Sequence, residues 1–164
     1  DGRRYTEGHM SFVHLHNHSD FSLLDGAAVV ESMVARAKDL GMPGLALTDH
    51  GNLFGALKFW KACKTAGINP IVGSEFYMAG ATRRDKTGTE GGNKYYHLVL
   101  LARNEEGYRN LVKLTSRSYT EGFYYKPRID EELLREYSEG LICFSACLAG
   151  EIPADILAGK LDKA

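Results

Sequence analysis

Short apolar, β-rich runs alternate along this chain with segments of helical spacing, and this alternation most constrains the fold. Strands are predicted at 12–16, 44–48, 70–73, 95–102 and 141–144. Helices are predicted at 29–40, 53–66, 104–119, 131–137 and 152–157. Because such strands usually pair in parallel through right-handed crossovers, the pattern predicts an α/β fold, either an open doubly wound sheet or part of a barrel.

The length of the chain favours an incomplete barrel. A complete (β/α) barrel takes about 250 residues, whereas this chain has 164. Gly8-His9-Met10 is typical of a cloning remnant, so we expect residues 1–9 to be vector-derived and the native domain to occupy 10–164. The polar, helix-like end at Lys163-Ala164 indicates a domain truncated at its C-terminal end.

Composition excludes several functional classes. The formal net charge is -1, from 20 Lys and Arg against 21 Asp and Glu, so the chain has no general attraction for phosphate backbones and any contact with DNA is local. No apolar run approaches the roughly 20 residues that span a bilayer, so no membrane partner is expected. The three cysteines are an odd number without a secretory signal, which favours reduced thiols or metal ligands and a cytoplasmic location.

Residues that bind metals follow or lie within the predicted strands. Because the carboxyl ends of parallel strands meet on one face, side chains that follow different strands can gather there. Imidazole, carboxylate and thiolate groups bind zinc, manganese and iron, so we expect a metal cluster at this face. The candidate ligands are His16, His18, Asp25, His50, Glu75, His97 and Cys147.

Other interpretations stay open for individual residues. A single histidine in a strand is more often a packed or hydrogen-bonded residue than a ligand, and we favour that interpretation for His14. Asp49 either orients a metal ligand from a second layer or accepts backbone donors in a turn. Cys63 and Cys143 are predicted to be small buried side chains. Cys147 could serve as a nucleophile, but no ordered Cys-His-acid pattern surrounds it.

Two basic runs offer local contacts with nucleic acid. The run 124–128, Tyr-Tyr-Lys-Pro-Arg, places aromatic rings beside cations, and the run 83–86 could contact phosphate from within a mobile loop predicted at 80–94. More often such runs are solvated loops. No glycine-rich phosphate-binding motif is present, which disfavours P-loop and dinucleotide-dependent enzymes.

Five short motifs together resemble the PHP (polymerase and histidinol phosphatase) domains of bacterial DNA polymerase III alpha subunits. The motifs are His16-Asn17-His18-Ser19, Leu24-Asp25-Gly26, Thr48-Asp49-His50-Gly51-Asn52-Leu53, Gly73-Ser74-Glu75 and Tyr96-His97-Leu98. Lys126-Pro127-Arg128-Ile129-Asp130 and Cys147-Leu148-Ala149-Gly150-Glu151 are similar to the polymerase version of the domain. The resemblance implies a distorted, TIM-like (β/α) barrel of seven strands with a trinuclear metal cluster held by the same seven side chains.

The resemblance also implies a function. It suggests the amino-terminal part of a replicative DNA-directed DNA polymerase, a nucleotidyltransferase, whose PHP domain is a metal-dependent phosphoesterase and 3′-5′ proofreading exonuclease. A metal-activated water would attack the DNA phosphodiester, with zinc favoured over manganese or iron. The implied partners are DNA, the remainder of the alpha subunit and other replicative holoenzyme subunits.

One departure from the family pattern concerns completeness. The family completes its ligand set with a late Asp-x-His pair that this sequence lacks, so we expect the final strands to be missing and the isolated fragment to bind its metals incompletely. Two alternatives remain. One is a metal-stabilised structural module that docks on the polymerase without hydrolysis, and the other is a stand-alone phosphatase of the histidinol phosphate type.

Overall fold

Five helices and five strands form the described part of the chain. The structure, a computed structural model, describes residues 12–23, 25–87 and 95–164. The helices are α1 Val30–Asp39, α2 Ala56–Ala66, α3 Glu105–Thr120, α4 Glu131–Glu136 and α5 Glu151–Leu157. The strands are β1 Gly44–Leu47, β2 Asn69–Met78, β3 Tyr96–Ala102, β4 Arg128–Ile129 and β5 Leu141–Phe144. The expected vector residues 1–9, Leu24 and residues 88–94 of the predicted 80–94 loop lie outside the described residues.

Local capping chemistry places several helix ends where the sequence predicts them. Asn104 accepts a hydrogen bond from the Gly107 amide at the start of α3, and Asp130 accepts one from the Leu133 amide at the start of α4. At the end of α2, Gly67 adopts a left-handed conformation with φ of 77°, which glycine reaches without steric cost. These boundaries follow from single residues and their immediate neighbours.

The sheet is mixed, so the prediction of parallel pairing throughout is wrong. Its order is β1-β2-β3-β5, with β4 beside the end of β2. Strands β1 and β4 run parallel to β2, whereas β3 is antiparallel to both β2 and β5. A parallel partner needs a crossover connection, and the described part of the segment between β2 and β3 contains no helix. The chain therefore returns alongside β2 in the opposite direction.

Two predicted strands differ in extent from the observed ones. Segment 12–16 forms no regular strand, but it lies along β1, where the His14 carbonyl accepts a hydrogen bond from the Ala46 amide at 2.9 Å. The predicted strand 70–73 continues through Glu75 to Met78. Gly73 allows this continuation, because a Cβ there would lie 2.4 Å from the Leu100 carbonyl oxygen of β3.

Helices cover one face of the sheet. α1 and α2 pack against β1 through a core that includes Val34, Leu47 and Phe59. α3 and α4 pack against β2 and β3 through a second core. The members of this second core are Phe76, Leu100, Leu111, Leu114, Ile129 and Leu133. The layering confirms the α/β class.

The opposite face of the sheet is open. Val99 and Leu101 are buried there beside Ala46, but their register partners Phe144 and Ile142 on β5 are 38% and 44% exposed. The sheet does not close on itself, as the incomplete barrel predicts. Cys143 is exposed, so its prediction as a buried side chain is wrong, because β5 has β3 as its only partner among the described strands.

The first residue of the basic run at 83–86 is neither solvated nor free to contact phosphate. Arg83 has no exposed surface, and its guanidinium contacts Asp130 at 2.7 Å and Glu121 at 2.8 Å. The Arg83 amide also donates to Asp130 at 2.9 Å. The described part of the predicted mobile loop is therefore tied to the starts and ends of the neighbouring helices.

No helix in 12–23, 25–87 or 95–164 combines the length and the apolar character needed to cross a membrane.

Candidate metal centre

Hydrogen bonds to β1 fix the segment that carries the first two candidate ligands. The Asn17 amide donates to Thr48 Oγ1 and the Thr48 amide donates to the Asn17 carbonyl, each at 2.9 Å. Because alternate residues of an extended chain point to the same side, the neighbours of Asn17 share a face. The Nε2 atoms of His16 and His18 lie 3.1 Å apart.

Asp49 organises the turn that follows this segment. It is buried, and its carboxylate accepts the Ser19 amide at 2.6 Å and the hydroxyls of Ser19 and Ser22. Ser22 Oγ accepts the His50 amide at 2.9 Å and lies 3.0 Å from His18 Nδ1. Asp49 thus accepts donors of the turn directly and is linked to His18 and His50 through Ser22, and its role in orienting metal ligands stays a prediction.

A tight loop brings Asp25 to His50. The Gly26 amide donates to the Ser22 carbonyl at 2.7 Å, and a Cβ at Gly26 would lie 1.7 Å from the Ser19 carbonyl oxygen, so only glycine fits. Asp25 Oδ2 then lies 2.8 Å from His50 Nε2. The rings of His50 and His18 stack with centroids 4.3 Å apart.

Glu75 lies at the centre of the cluster. Its side chain is 2% exposed, and Oε2 lies 2.7 Å from His16 Nε2 and 2.9 Å from His18 Nε2. The other oxygen, Oε1, lies 3.0 Å from His97 Nδ1. One buried carboxylate therefore joins three imidazoles from two distant parts of the chain.

His97 reaches the cluster because β3 is antiparallel. It lies near the beginning of β3, opposite Tyr77 of β2, so the start of one strand meets the end of the other. Cys147 follows β5, and its Sγ lies 3.6 Å from His97 Nδ1 and 4.0 Å from Glu75 Oε1. A hydrogen bond from the His97 amide to the Ala149 carbonyl at 2.9 Å holds this segment against β3.

Burial and hydrogen bonding shift the pKa values of three members in different directions. Burial raises the pKa of Glu75, but hydrogen bonds from His16, His18 and His97 outweigh it and hold the pKa of this carboxyl well below its usual range. The hydrogen bond with Glu75 raises the pKa of His16. Burial lowers the pKa of His50. Glu75 is therefore a carboxylate and His50 a neutral imidazole at neutral pH.

Six of the seven predicted ligands form three overlapping groups whose ligand atoms lie within 4.8 Å of one another. The groups are His16, His18 and Glu75; His18, Asp25 and His50; and His50, Glu75 and His97. Cys147 belongs to none of them but adjoins the last. These side chains could hold metal ions.

The donor set fits divalent cations. His50 Nδ1 is buried and has no hydrogen-bond partner, although it lies 3.5 Å from Glu75 Oε2. A buried nitrogen of this kind is unfavourable unless something binds it. Imidazoles with carboxylates and a nearby thiol suit zinc, manganese or iron.

Sequence reasoning missed two residues that shape the centre. Ser22 joins Asp49 to both His18 and His50, and nothing in its sequence position distinguishes it from an ordinary turn serine. Tyr77 is 6% exposed and stacks on His50 with centroids 5.7 Å apart. Its position two residues after Glu75 on a strand was a usable signal, because it places both side chains on one face.

Comparison with known proteins assigns the chain to a family. Residues 14–164 match the family described as "PHP domain". The chain belongs to the PHP domain family. This PHP domain is 56% identical to DNA polymerase III subunit alpha of Treponema pallidum over 151 residues, and 58% identical to that of Borreliella burgdorferi over 153 residues. These matches cover 92% and 93% of the chain but 13% of each relative, so the chain spans about an eighth of their length.

A solved structure of a candidate metal-dependent phosphoesterase from Bifidobacterium adolescentis is also similar to this PHP domain. The TM-score is 0.49 at 18% sequence identity, and the match covers 70% of this chain and 35% of that chain.

Proposed function

We propose that this PHP domain is part of a replicative DNA polymerase alpha subunit and hydrolyses the terminal phosphodiester bond at DNA 3′ ends with the help of divalent cations. The observation that carries the proposal is the buried Glu75 carboxylate with three imidazoles around it. The similarity to DNA polymerase III alpha subunits supports DNA as the substrate.

The three overlapping groups would hold the cations. In addition, Cys147 would complete the group around His97, because its Sγ lies within 4.0 Å of both His97 and Glu75. When bound, the cations supply a water of lowered pKa and neutralise charge on phosphoryl oxygens. We favour zinc for this mixed set of imidazoles, carboxylates and thiol, over manganese or iron.

The side chains prepare the centre for this chemistry before any ion arrives. Glu75 remains ionised, so it offers negative charge to a cation at neutral pH. Neutral His50 offers a lone pair without first losing a proton, whereas His16 shares a proton with Glu75. Cation binding must displace that proton, so affinity rises with pH through the titration of His16.

The test uses the full-length protein, 3′-labelled single-stranded DNA, and no nucleotides or pyrophosphate. His16→Ala and His50→Ala should lose both bound metal and nucleotide release, because each removes a member of a ligand group. His14→Ala is the matched control, since His14 is exposed and belongs to none of the three groups. It should retain both. Metal content is measured by elemental analysis on the same samples.

Two results would contradict the proposal. Nucleotide release that persists in His16→Ala and His50→Ala with unchanged metal content would show that hydrolysis occurs elsewhere. Metal that binds without any hydrolysis in the unaltered protein, and whose removal lowers only the unfolding temperature, would favour the structural alternative.

A further inference from the structure

A small cavity opens beside the metal centre, and His50 is the one candidate ligand among its lining residues. Its volume is about 200 Å³, and its walls include His50, Tyr77, Phe21, Phe54, Tyr119 and Lys126. We call it the side pocket. Pockets that enclose drug-sized ligands measure roughly 300–1,000 Å³, so the side pocket fits one ring system. It shares His50 with the metal centre, so its contents would lie next to any ion that the centre holds.

Tyr77 links the pocket's cation to the metal centre. The Lys126 ammonium lies 5.3 Å from the centroid of the Tyr77 ring, and the His50 ring stacks on the same tyrosine at 5.7 Å. The Lys126 ammonium and His50, a candidate metal ligand, therefore contact the same Tyr77 ring. Among the described residues, no carboxylate lies within ion-pair distance of Lys126.

The backbone around Lys126 is fixed. Pro127 packs on Gly51, where an added Cβ would lie 2.8 Å from the proline ring, and Gly51 directly follows His50. The Tyr124 amide donates to the Lys126 carbonyl at 3.1 Å. Buried Arg128 anchors the other side by donating to three carbonyl oxygens, those of Gly122, Arg83 and Asp85.

The pocket offers no free side-chain amide to a base. Asn52 is its one side-chain amide, and both ends of that amide are already used. Its Nδ2 donates to the carbonyls of Phe21 and His50, and its Oδ1 accepts the Phe54 amide. What remains for a ligand is aromatic surface, including the phenol hydroxyls of Tyr77 and Tyr119, and one cation. Rings accept any base by stacking, and a lysine binds phosphate as a point charge.

We propose that the side pocket holds the 3′-terminal base of a single DNA strand on the rings of Phe21, Phe54 and Tyr119, with Lys126 at the pocket wall against the adjoining phosphate. The choice of DNA rests on the proposed function. Lys126 acts as a positioning residue that places the last phosphodiester beside His50. Because stacking on aromatic rings does not depend on the identity of the base, we expect the pocket to accept all four bases, and a paired end must separate before it enters.

The test measures binding without hydrolysis. Full-length protein in EDTA is mixed with a pentathymidine whose 3′-terminal base is replaced by photoreactive 5-iodouracil, and the cross-linked peptide is identified by mass spectrometry. Cross-links should map to Phe54 or Tyr119. Lys126→Ala should weaken binding about tenfold, as expected when one charge-assisted contact is lost. It should also reduce the slope of log affinity against log salt by about 0.7, the value for one phosphate contact with a single strand.

Matched variants separate this role from a structural one. Lys126→Arg keeps the charge and should restore the salt slope. Lys64 is the control, because its ammonium also lies over an aromatic ring, 5.7 Å from Trp60, but outside the side pocket. Lys64→Ala should bind like the unaltered protein. Phe54 is 66% exposed, so Phe54→Ala should fold normally and lose any cross-link at position 54.

Cross-links outside the pocket, or equal affinity and salt slope in Lys126→Ala and Lys64→Ala, would overturn this inference even if the protein hydrolyses DNA. Specific cross-linking without hydrolysis in the metal-loaded protein would support the pocket and contradict the proposed exonuclease.

Discussion

Replacement of Asp130 should destabilise the domain strongly, because this buried carboxylate has two structural roles. Its carboxylate accepts Arg83 Nη1 at 2.7 Å, the Arg83 amide at 2.9 Å and the Leu133 amide at 3.0 Å. Asp130 is 2% exposed and Arg83 is 0% exposed. One side chain therefore neutralises a buried guanidinium and caps α4.

The magnitude follows from these two roles. Removal of one partner of a buried ion pair costs about 3–5 kcal/mol, and loss of a helix N-cap costs about 1 kcal/mol. Arg83 keeps Glu121 at 2.8 Å, whose side chain is 30% exposed, so the lower part of the range applies. We expect Asp130→Ala to lower the free energy of unfolding by about 4 kcal/mol. Asp130→Asn keeps an oxygen for the cap and should lose about 3 kcal/mol.

Urea unfolding of the 164-residue chain, followed by circular dichroism, measures the effect. With a slope of about 2 kcal/mol per molar urea, Asp130→Ala should lower the midpoint by about 2 M. Glu132→Gln is the control, because Glu132 lies 3.6 Å from the same guanidinium but its side chain is 63% exposed. Its change should stay within about 0.5 kcal/mol. Equal midpoints for Asp130→Ala and Glu132→Gln would refute the argument from burial.

Three further outcomes are expected. Hydrogen bonds from Arg83 and Leu133 outweigh the effect of burial and lower the pKa of Asp130 from 3.8, so its contribution to stability is present above about pH 4 and lost below it. Between about pH 5 and about pH 3, the urea midpoint of Asp130→Asn should therefore fall less than that of the unaltered protein. Gly26→Ala should weaken zinc binding measured by competition with a chelator, since its Cβ would displace the loop that carries Asp25; unchanged affinity would contradict this. Iodoacetamide should modify Cys147 in metal-free protein and not in zinc-loaded protein. Cys63 is buried and burial raises its pKa to about 11, so it should stay unmodified in both samples. Equal modification of Cys147 in the two samples would count against a thiolate ligand.

Local chemistry made much of this structure predictable from the sequence. The caps at Asn104 and Asp130 depend on one side chain and the next few amides, so sequence alone placed α3 and α4. The candidate ligands could be grouped because their residue types are rare together and each lies near a strand. The alternation at His16 and His18 also placed both rings on one side.

The remaining features depend on contacts between distant parts of the chain. The antiparallel direction of β3 goes with a connection from β2 whose described part, up to residue 87, contains no helix, and no strand pattern reveals this. Arg83 looks like part of a solvated basic run, because its partners Glu121 and Asp130 lie more than 35 residues away in sequence. β4 has only two residues and carries no periodicity. The exposure of Cys143 follows from the position of β5 at the edge of the sheet.

The contacts around Glu75 have a consequence for how the domain folds. The pair of His16 and Glu75 is separated by 59 residues, His97 and Cys147 by 50, and Glu75 and Cys147 by 72. Closing loops of such length costs entropy before any contact forms, so the centre assembles only when the sheet is in register. A cation that binds only the folded chain stabilises it in proportion to the logarithm of its concentration over its dissociation constant. Metal affinity thus reports global folding, and no short peptide excised from the chain would reproduce it.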